Sequence, residues 1–230
     1  MPIEPMSLTL YSHPLSSYCW KVLIALYENG TPFEARLVNL GDPTERAAYA
    51  ALWPTAKIPL LVDSERIVPE TSVQIEYLDH HHPGAVRLLP DDFESRLHVR
   101  LWDRLFDDYV MDPMQRYIAQ LLRTEGLRDT LGMQQFVEAL GKAYDLIESR
   151  MGQHAWAAGD SFSMADCAAA PSLFYAATIR PFEPEHVRLA AYFERLIARP
   201  SVWRVITEAR PVFPYYPLRQ AVPDRFLSEG

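Results

Sequence analysis

Up to about residue 83 the apolar positions fall in short runs separated by turns, and beyond that they settle into long stretches of helical period. Leu8-Thr9-Leu10-Tyr11 reads as a strand. Ser16 to Asn29 reads as a helix, because Cys19, Val22, Leu23 and Leu26 share one face and Asn29-Gly30 supplies a stop. A second strand is predicted around Phe33 to Val38, a short helix from Pro43 to Leu52, and a strand pair, Leu60-Leu61-Val62 and Arg66-Ile67-Val68, about the turn Asp63-Ser64-Glu65. A helix from Thr71 to His81 closes the unit. The order begins with a crossover and ends with a hairpin, so the sheet must mix parallel and antiparallel pairing.

After Pro83-Gly84 and Pro90-Asp91-Asp92 the chain reads as helical. Phe93 to Leu122 and Gln134 to Met151 are long candidates. Ser163 to Thr178, Glu185 to Ala198 and Ser201 to Ala209 are shorter ones. The Pro-rich stretch Arg210 to Pro217 is expected to be extended. There is no internal repeat and no low-complexity tract.

Composition narrows the function classes. A chain of 230 residues, 49% hydrophobic and 23% charged, can bury a substantial core. No apolar run reaches the roughly 20 residues of a bilayer crossing, and Met1-Pro2-Ile3-Glu4-Pro5 lacks the pattern of a secretion signal. No membrane partner is expected. Two cysteines, Cys19 and Cys167, form no disulfide framework and no paired zinc spacing, which fits a reducing compartment and makes the cytoplasm the simplest address. A net charge of -8 without a basic stripe argues against a nucleic-acid partner.

Three segments carry candidate chemistry. In the first, the strand-to-helix junction Tyr11 to Lys21, the helix start offers unpaired N–H groups and partial positive charge to an anion such as a thiolate, and a serine hydroxyl can add a bond to sulfur. Ser16 or Ser17 also serves as an ordinary helix cap. Ser16-Ser17-Tyr18-Cys19 has the spacing of a Cys-x-x-Cys pair whose first member is Ser, so a reactive sulfur must arrive with a ligand. Cys19 itself reads as a buried structural thiol.

In the second segment, Trp53 to Leu61, Pro59 directly precedes an apolar strand. A cis Ile58-Pro59 bond would free the Ile58 backbone for an extended peptide ligand, and a trans proline in a plain turn fits the segment equally. In the third, Val68 to Asp79, the N–H groups of the first helical turn and the Thr71 hydroxyl could take a carboxylate while Glu70 takes an ammonium; a simple helix start is the alternative.

In this order and register the three segments resemble the thioredoxin-like domain of the glutathione transferase family. Gly159-Asp160-Ser161-Phe162-Ser163-Met164-Ala165-Asp166 resembles the family's helical-domain signature, so that the likeness spans essentially the whole chain. It implies an α/β thioredoxin-like N-terminal domain over residues 1–83, with a mixed four-stranded sheet and three helices. An all-α helical-bundle domain over residues 91–230 follows and shapes the second-substrate pocket.

The resemblance also implies roles. The position of Ser16 holds the Ser or Cys that contacts glutathione sulfur, with Ser17 its competitor by one residue. Ile58-Pro59 matches the step that pairs with the cysteinyl backbone, Glu70-Thr71 the pair that holds the γ-glutamyl end, and Lys57 a basic residue near the glycyl carboxylate. Glutathione as co-substrate, a small electrophile, no metal and a homodimer complete the expectation. Thr71 stands where Ser is usual, and Trp53 and Ala56 replace a common Asn and Gly. The Ser-Ser run also resembles the zeta branch, which isomerises maleylacetoacetate, although Tyr18 and Leu23 depart from its usual Cys and Arg. A non-catalytic glutathione-binding scaffold and a disulfide reductase using Cys19 are the other readings.

Three further features are given structural or open roles. Ser163 and Asp166 form a capping box with Phe162 and Cys167 as staple, a folding role of about 1 kcal/mol per lost cap bond. His80-His81-His82 reads as a helix end and not as a metal tract. Trp102, Phe106, Tyr109, Met114 and Tyr117 are expected as core with some lining an apolar pocket, which Tyr215 and Tyr216 could cover.

Overall fold

The computed structural model describes residues 8–228; the N-terminal stretch Met1 to Pro5 read above for a secretion signal lies outside them. The front domain runs β1 (Leu8–Ser12), α1 (Ser17–Glu28), β2 (Glu34–Leu37), α2 (Pro43–Leu52), β3 (Leu60–Asp63), β4 (Arg66–Val68) and α3 (Thr71–His81). The strands lie in the order β2-β1-β3-β4. β1 and β2 are parallel across the α1 crossover, whereas β3 is antiparallel to both β1 and β4. The expected mixed sheet is present, and the hairpin turns through Ser64 at φ 55.

Leu10, Leu60 and Leu61 are fully buried, and α1 buries every residue from Cys19 to Leu26. A helix covered all round must lie between other elements. α1 packs against α3 on one side and against the helical domain on the other. It ends where Gly30 takes φ 59, a left-handed turn that a glycine enters at no steric cost.

The helical domain comprises α4 (Phe93–Leu105), α5 (Asp112–Leu121), α6 (Thr130–Met151), α7 (Met164–Ala176), α8 (Val187–Ile197) and α9 (Pro200–Ala209). The single helix expected from Phe93 to Leu122 is continuous but not uniform: Phe106–Met111 is a π-helical turn joining α4 to α5. The amide of Asp112 reaches back five residues to the carbonyl of Asp107, and apolar periodicity does not register such a local change of pitch. α6 starts at Thr130, four residues before the expected start at Gln134, because the Asp129 side chain accepts from the Gly132 amide and caps it.

The Pro-rich stretch is not extended. Arg210–Tyr215 forms a 3-10 turn with Phe213 buried. Proline's φ suits both states, and burial of the Phe213 ring near Trp20 and Phe174 decides for the turn. That contact belongs to one core shared by both domains, since Trp20 of α1 also meets Phe174 and Tyr175 of α7. No helix of the described residues is long and apolar enough to cross a membrane.

Asp166 caps α7 as its spacing predicts. Its carboxylate accepts from the Ser163 amide at 2.9 Å, the Ser163 hydroxyl at 3.1 Å, the Ala157 amide at 3.0 Å and the Tyr192 hydroxyl at 2.5 Å. Phe162 and Cys167 are both buried in the surrounding core.

Candidate active site

A cleft of about 940 Å³ lies between the domains, at the upper end of the range of small-molecule sites. Its floor is built from the front domain: Ser16, Lys57, Ile58, Pro59, Glu70 and Thr71 all line it. Three loops separated by tens of residues deliver them. The sheet order explains this, because the α1 start, the β3 entrance and the α3 start sit at one end of adjacent elements.

Ser16 is the N-cap of α1, with its Oγ accepting from the Cys19 amide at 3.3 Å. That bond uses a lone pair of the oxygen, so capping and donation of the hydroxyl hydrogen to an anion are compatible. Ser17 is directed elsewhere. It is 1% exposed, and its Oγ accepts from the Gln115 Nε2 of α5 at 2.7 Å. Cys19 is fully buried, and burial pushes its thiol up to about 12, the opposite of what a nucleophile requires.

The Ile58-Pro59 peptide is cis. The Pro59 carbonyl accepts from the buried Gln74 side chain of α3 at 2.9 Å, and Tyr49 of α2 donates to the Lys57 carbonyl at 2.8 Å. Gln74 and Tyr49 thus hold the floor from beneath. Neither was singled out in the sequence, although Gln74 is a polar residue on the inward face of a helix, which is a detectable signal. Lys57 and Glu70 are exposed, and Thr71 is buried. Glu70 takes φ 65 and Ala56 takes φ 51, both on the cleft wall. Non-glycine residues are uncommon in that region and gather at functional sites, and Ala56 occupies the place where the family resemblance expects glycine.

The helical wall departs from expectation. Trp102, Phe106 and Met114 are core, Tyr109 faces a separate small crevice, and none of the five aromatic and Met positions lines the cleft. Tyr215 is 80% exposed, and Tyr216 is buried with its hydroxyl 2.8 Å from that of Thr178; neither covers the cleft. The residues that the helical domain contributes are instead polar, Arg104, Asp107, Asp108, Asp112 and Gln115, with Tyr18 of α1 also in the lining. The π-helical hydrogen bond from the Asp112 amide to the Asp107 carbonyl lies between two of these acidic positions.

Behind this wall lies a buried ion cluster. Lys21 of α1, fully buried, meets Asp103 at 2.6 Å and Asp107 at 2.7 Å and donates to the Ser72 hydroxyl at 3.0 Å. Ser72 in turn donates to Asp103 at 2.5 Å. Burial pushes the Asp107 carboxyl up against the pull of Lys21. Burial and the charges of Asp107 and Asp112 together push the Tyr18 phenol above its ordinary value.

The histidine run ends α3. The His82 ring meets Asp63 at 2.6 Å, and the His81 ring packs on Tyr77.

Comparison with known proteins agrees with this geometry. Residues 10–85 match the family model "Glutathione S-transferase, N-terminal domain" and residues 128–195 match "Glutathione S-transferase, C-terminal domain". A probable maleylacetoacetate isomerase of Caenorhabditis elegans is 30% identical over 73% of this chain and 78% of its own length. The chain belongs to the glutathione S-transferase family. A glutathione S-transferase of Silene vulgaris is 26% identical over 85% of this chain and 95% of its own. Among solved structures, a glutathione S-transferase from Methylobacillus flagellatus KT with GSH bound superposes with a TM-score of 0.78 at 26% identity, covering 86% of this chain and 98% of that one.

Proposed function

We propose that this protein is a glutathione transferase in which Ser16 and the start of α1 stabilise the glutathione thiolate for attack on an electrophilic small molecule. The observation that carries the reading is the division of labour between adjacent serines. Ser16 lines the cleft with its Oγ at the cap of α1, while Ser17 is buried against Gln115. An anion at that point meets the free N–H groups and partial positive charge of a twelve-residue helix as well as the hydroxyl.

The rest of the tripeptide is assigned by chemistry. The extended backbone of the ligand runs beside Ile58-Pro59, Glu70 receives its ammonium group, Thr71 and the amides of α3 receive its α-carboxylate, and Lys57 lies toward its glycyl carboxylate. No metal takes part in this scheme. The protein acts as a homodimer in the cytoplasm; Phe93, Leu97 and Leu101, exposed at four-residue spacing on α4, offer an apolar stripe for a second copy.

A second reading, glutathione-dependent isomerisation, is supported by the name of the Caenorhabditis elegans relative. The same stabilisation of the glutathione thiolate by Ser16 would serve it, but its substrate is a dicarboxylate and the cleft wall is rich in carboxylates.

The test is a titration of bound glutathione, followed by ultraviolet absorbance of the thiolate, in wild type, Ser16→Ala and Ser17→Ala. The wild type should titrate below free glutathione. Ser16→Ala should raise the bound thiol pKa by about one to two units and lower kcat about 100-fold, with Ser17→Ala close to wild type in the thiol titration. A bound thiol that titrates as in free solution would overturn the mechanism, and tight glutathione binding with no turnover of any electrophile would favour a scaffold.

A further inference from the structure

We infer that Tyr18 is a further catalytic residue of this site: its phenol donates a hydrogen bond to an oxygen of the second substrate on which negative charge collects, and that substrate is an α,β-unsaturated ketone or aldehyde. The inference rests on the reading of the cleft floor as the glutathione site and concerns what lies beside the sulfur.

Four hydroxyl side chains line the cleft, those of Ser16, Tyr18, Thr71 and Ser72. Ser16 and Thr71 are assigned to glutathione, and Ser72 donates to Asp103 at 2.5 Å. Tyr18 is different. Its half-buried ring packs on the core shared by the two domains, yet its hydroxyl makes no hydrogen bond with any described residue. With no acceptor in the protein, its hydrogen is available to a molecule in the cleft.

Its position selects the ligand. Tyr18 stands two residues beyond Ser16, in the first turn of α1. The charges that act on its hydroxyl, Asp107, Asp112, Arg104 and Asp108, all belong to the helical wall, so the phenol faces that wall across the space a second substrate must enter to reach the sulfur. Each of the three carboxylates has a cation against it: Lys21 lies 2.7 Å from Asp107, Arg104 3.1 Å from Asp108 and Arg116 2.8 Å from Asp112. Burial and the nearby carboxylates hold the phenol above its ordinary pKa, so it keeps its proton over the range in which a thiolate forms and acts there as a donor. Leu40, Trp53 and Val73 add apolar surface to the cleft, which suits an uncharged electrophile.

A neutral donor has most effect where charge appears on an oxygen only as the reaction proceeds. In conjugate addition the thiolate sulfur bonds to the β-carbon, the carbon–carbon π pair shifts to form the enolate, and the negative charge comes to rest on the carbonyl oxygen, where Tyr18 donates. The α-carbon then takes a proton from water, matching the proton that the glutathione thiol released to solvent. No group leaves, and no external oxidant or reductant is needed. In displacement at an alkyl halide the charge departs with the halide and no oxygen receives it, so the phenol contributes much less.

The test compares benzylideneacetone with benzyl chloride in wild type and in Tyr18→Phe, which keeps the ring and removes the donor. In Tyr18→Phe, kcat/KM should fall about 30-fold with the enone and less than about threefold with the halide. Bound glutathione should keep its thiol pKa, which separates this role from a bond to the sulfur.

Infrared difference spectra of the bound glutathione conjugate of benzylideneacetone, isotopically labelled at the ketone carbon, read the hydrogen bond without requiring turnover: the carbonyl stretch should lie lower in wild type than in Tyr18→Phe. An equal fall with both electrophiles, a raised thiol pKa in Tyr18→Phe, turnover of the halide but not of the enone by wild type, or a carbonyl stretch unmoved by the substitution each overturns this inference and leaves the transferase reading intact. Absence of binding by glutathione and by the conjugate overturns both.

Discussion

The side chain of Gln74, fully buried in α3, donates to the Pro59 carbonyl at 2.9 Å and to the Val68 carbonyl at 3.0 Å. One amide group therefore ties together β4, α3 and the β3 entrance on which the proposed glutathione site rests. Gln74→Ala would leave both carbonyls without this donor, at a cost of about 2–4 kcal/mol in urea unfolding. Glutathione KM should rise about tenfold with kcat changed much less, because the loss is in positioning the floor and not in the sulfur contact.

Cys19 gives a prediction with a defined sign. Its thiol is pushed from 9.0 up to about 12 by burial. The unfolded chain therefore releases this proton at lower pH than the native one, and native stability should decline as pH climbs from about 9 toward 12. Near neutrality both states hold the proton and no contribution exists. Native protein at about pH 8 should resist alkylation at Cys19 while urea-unfolded protein is labelled, as mass spectrometry can read. Cys19→Ala should keep most of its transferase activity; abolition of activity would instead support a reductase mechanism.

The Ser17–Gln115 bond crosses from α1 to α5. Ser17→Ala and Gln115→Ala should each cost about 1 kcal/mol, with a coupling of about 1 kcal/mol in a double-mutant cycle. The glutathione thiol pKa in Ser17→Ala serves as the control that separates this packing role from that of Ser16.

Lys21 is the only partner cation shared by Asp103 and Asp107 among the described residues. Lys21→Met would leave two carboxylates buried without it, and destabilisation of about 3–5 kcal/mol is expected from chemical denaturation. Reversing the charge deficit by Lys21→Met with Asp103→Asn should recover part of that loss.

Asp166→Ala removes the acceptor of four hydrogen bonds and strands the Ala157 and Ser163 amides in the core. A loss of about 3 kcal/mol or more is expected in thermal or urea unfolding. For protein that remains folded, glutathione affinity should be little changed, since α7 does not line the cleft.

Much of the fold was legible in local pattern. The alternation of β1 and the four apolar positions of α1 follow from strand and helix periods, and the crossover-then-hairpin order left little freedom in the sheet. The candidate residues Ser16, Lys57, Ile58, Pro59, Glu70 and Thr71 were also readable, because each stands at an element boundary where turn and cap chemistry restrict residue choice. The pocket residues were not. Trp102, Phe106 and Met114 obey the helical period that marks a buried face, and period alone cannot say whether that face meets a ligand or another helix.

Adjacent residues of equal chemistry show the division most clearly. By itself the sequence determined that a serine hydroxyl would stand at the start of the first helix, that proline would precede the third strand and that a long helical domain would follow. Only the tertiary structure decided which serine faces the cleft, since that depends on where Gln115 of a distant helix arrives to claim Ser17. It likewise decided that the opposite wall presents Asp107, Asp108 and Asp112 and not the aromatic residues of α4 and α5. Local rules act through neighbours in the chain, whereas the direction of a side chain in a cleft is set by packing between segments that the chain keeps far apart.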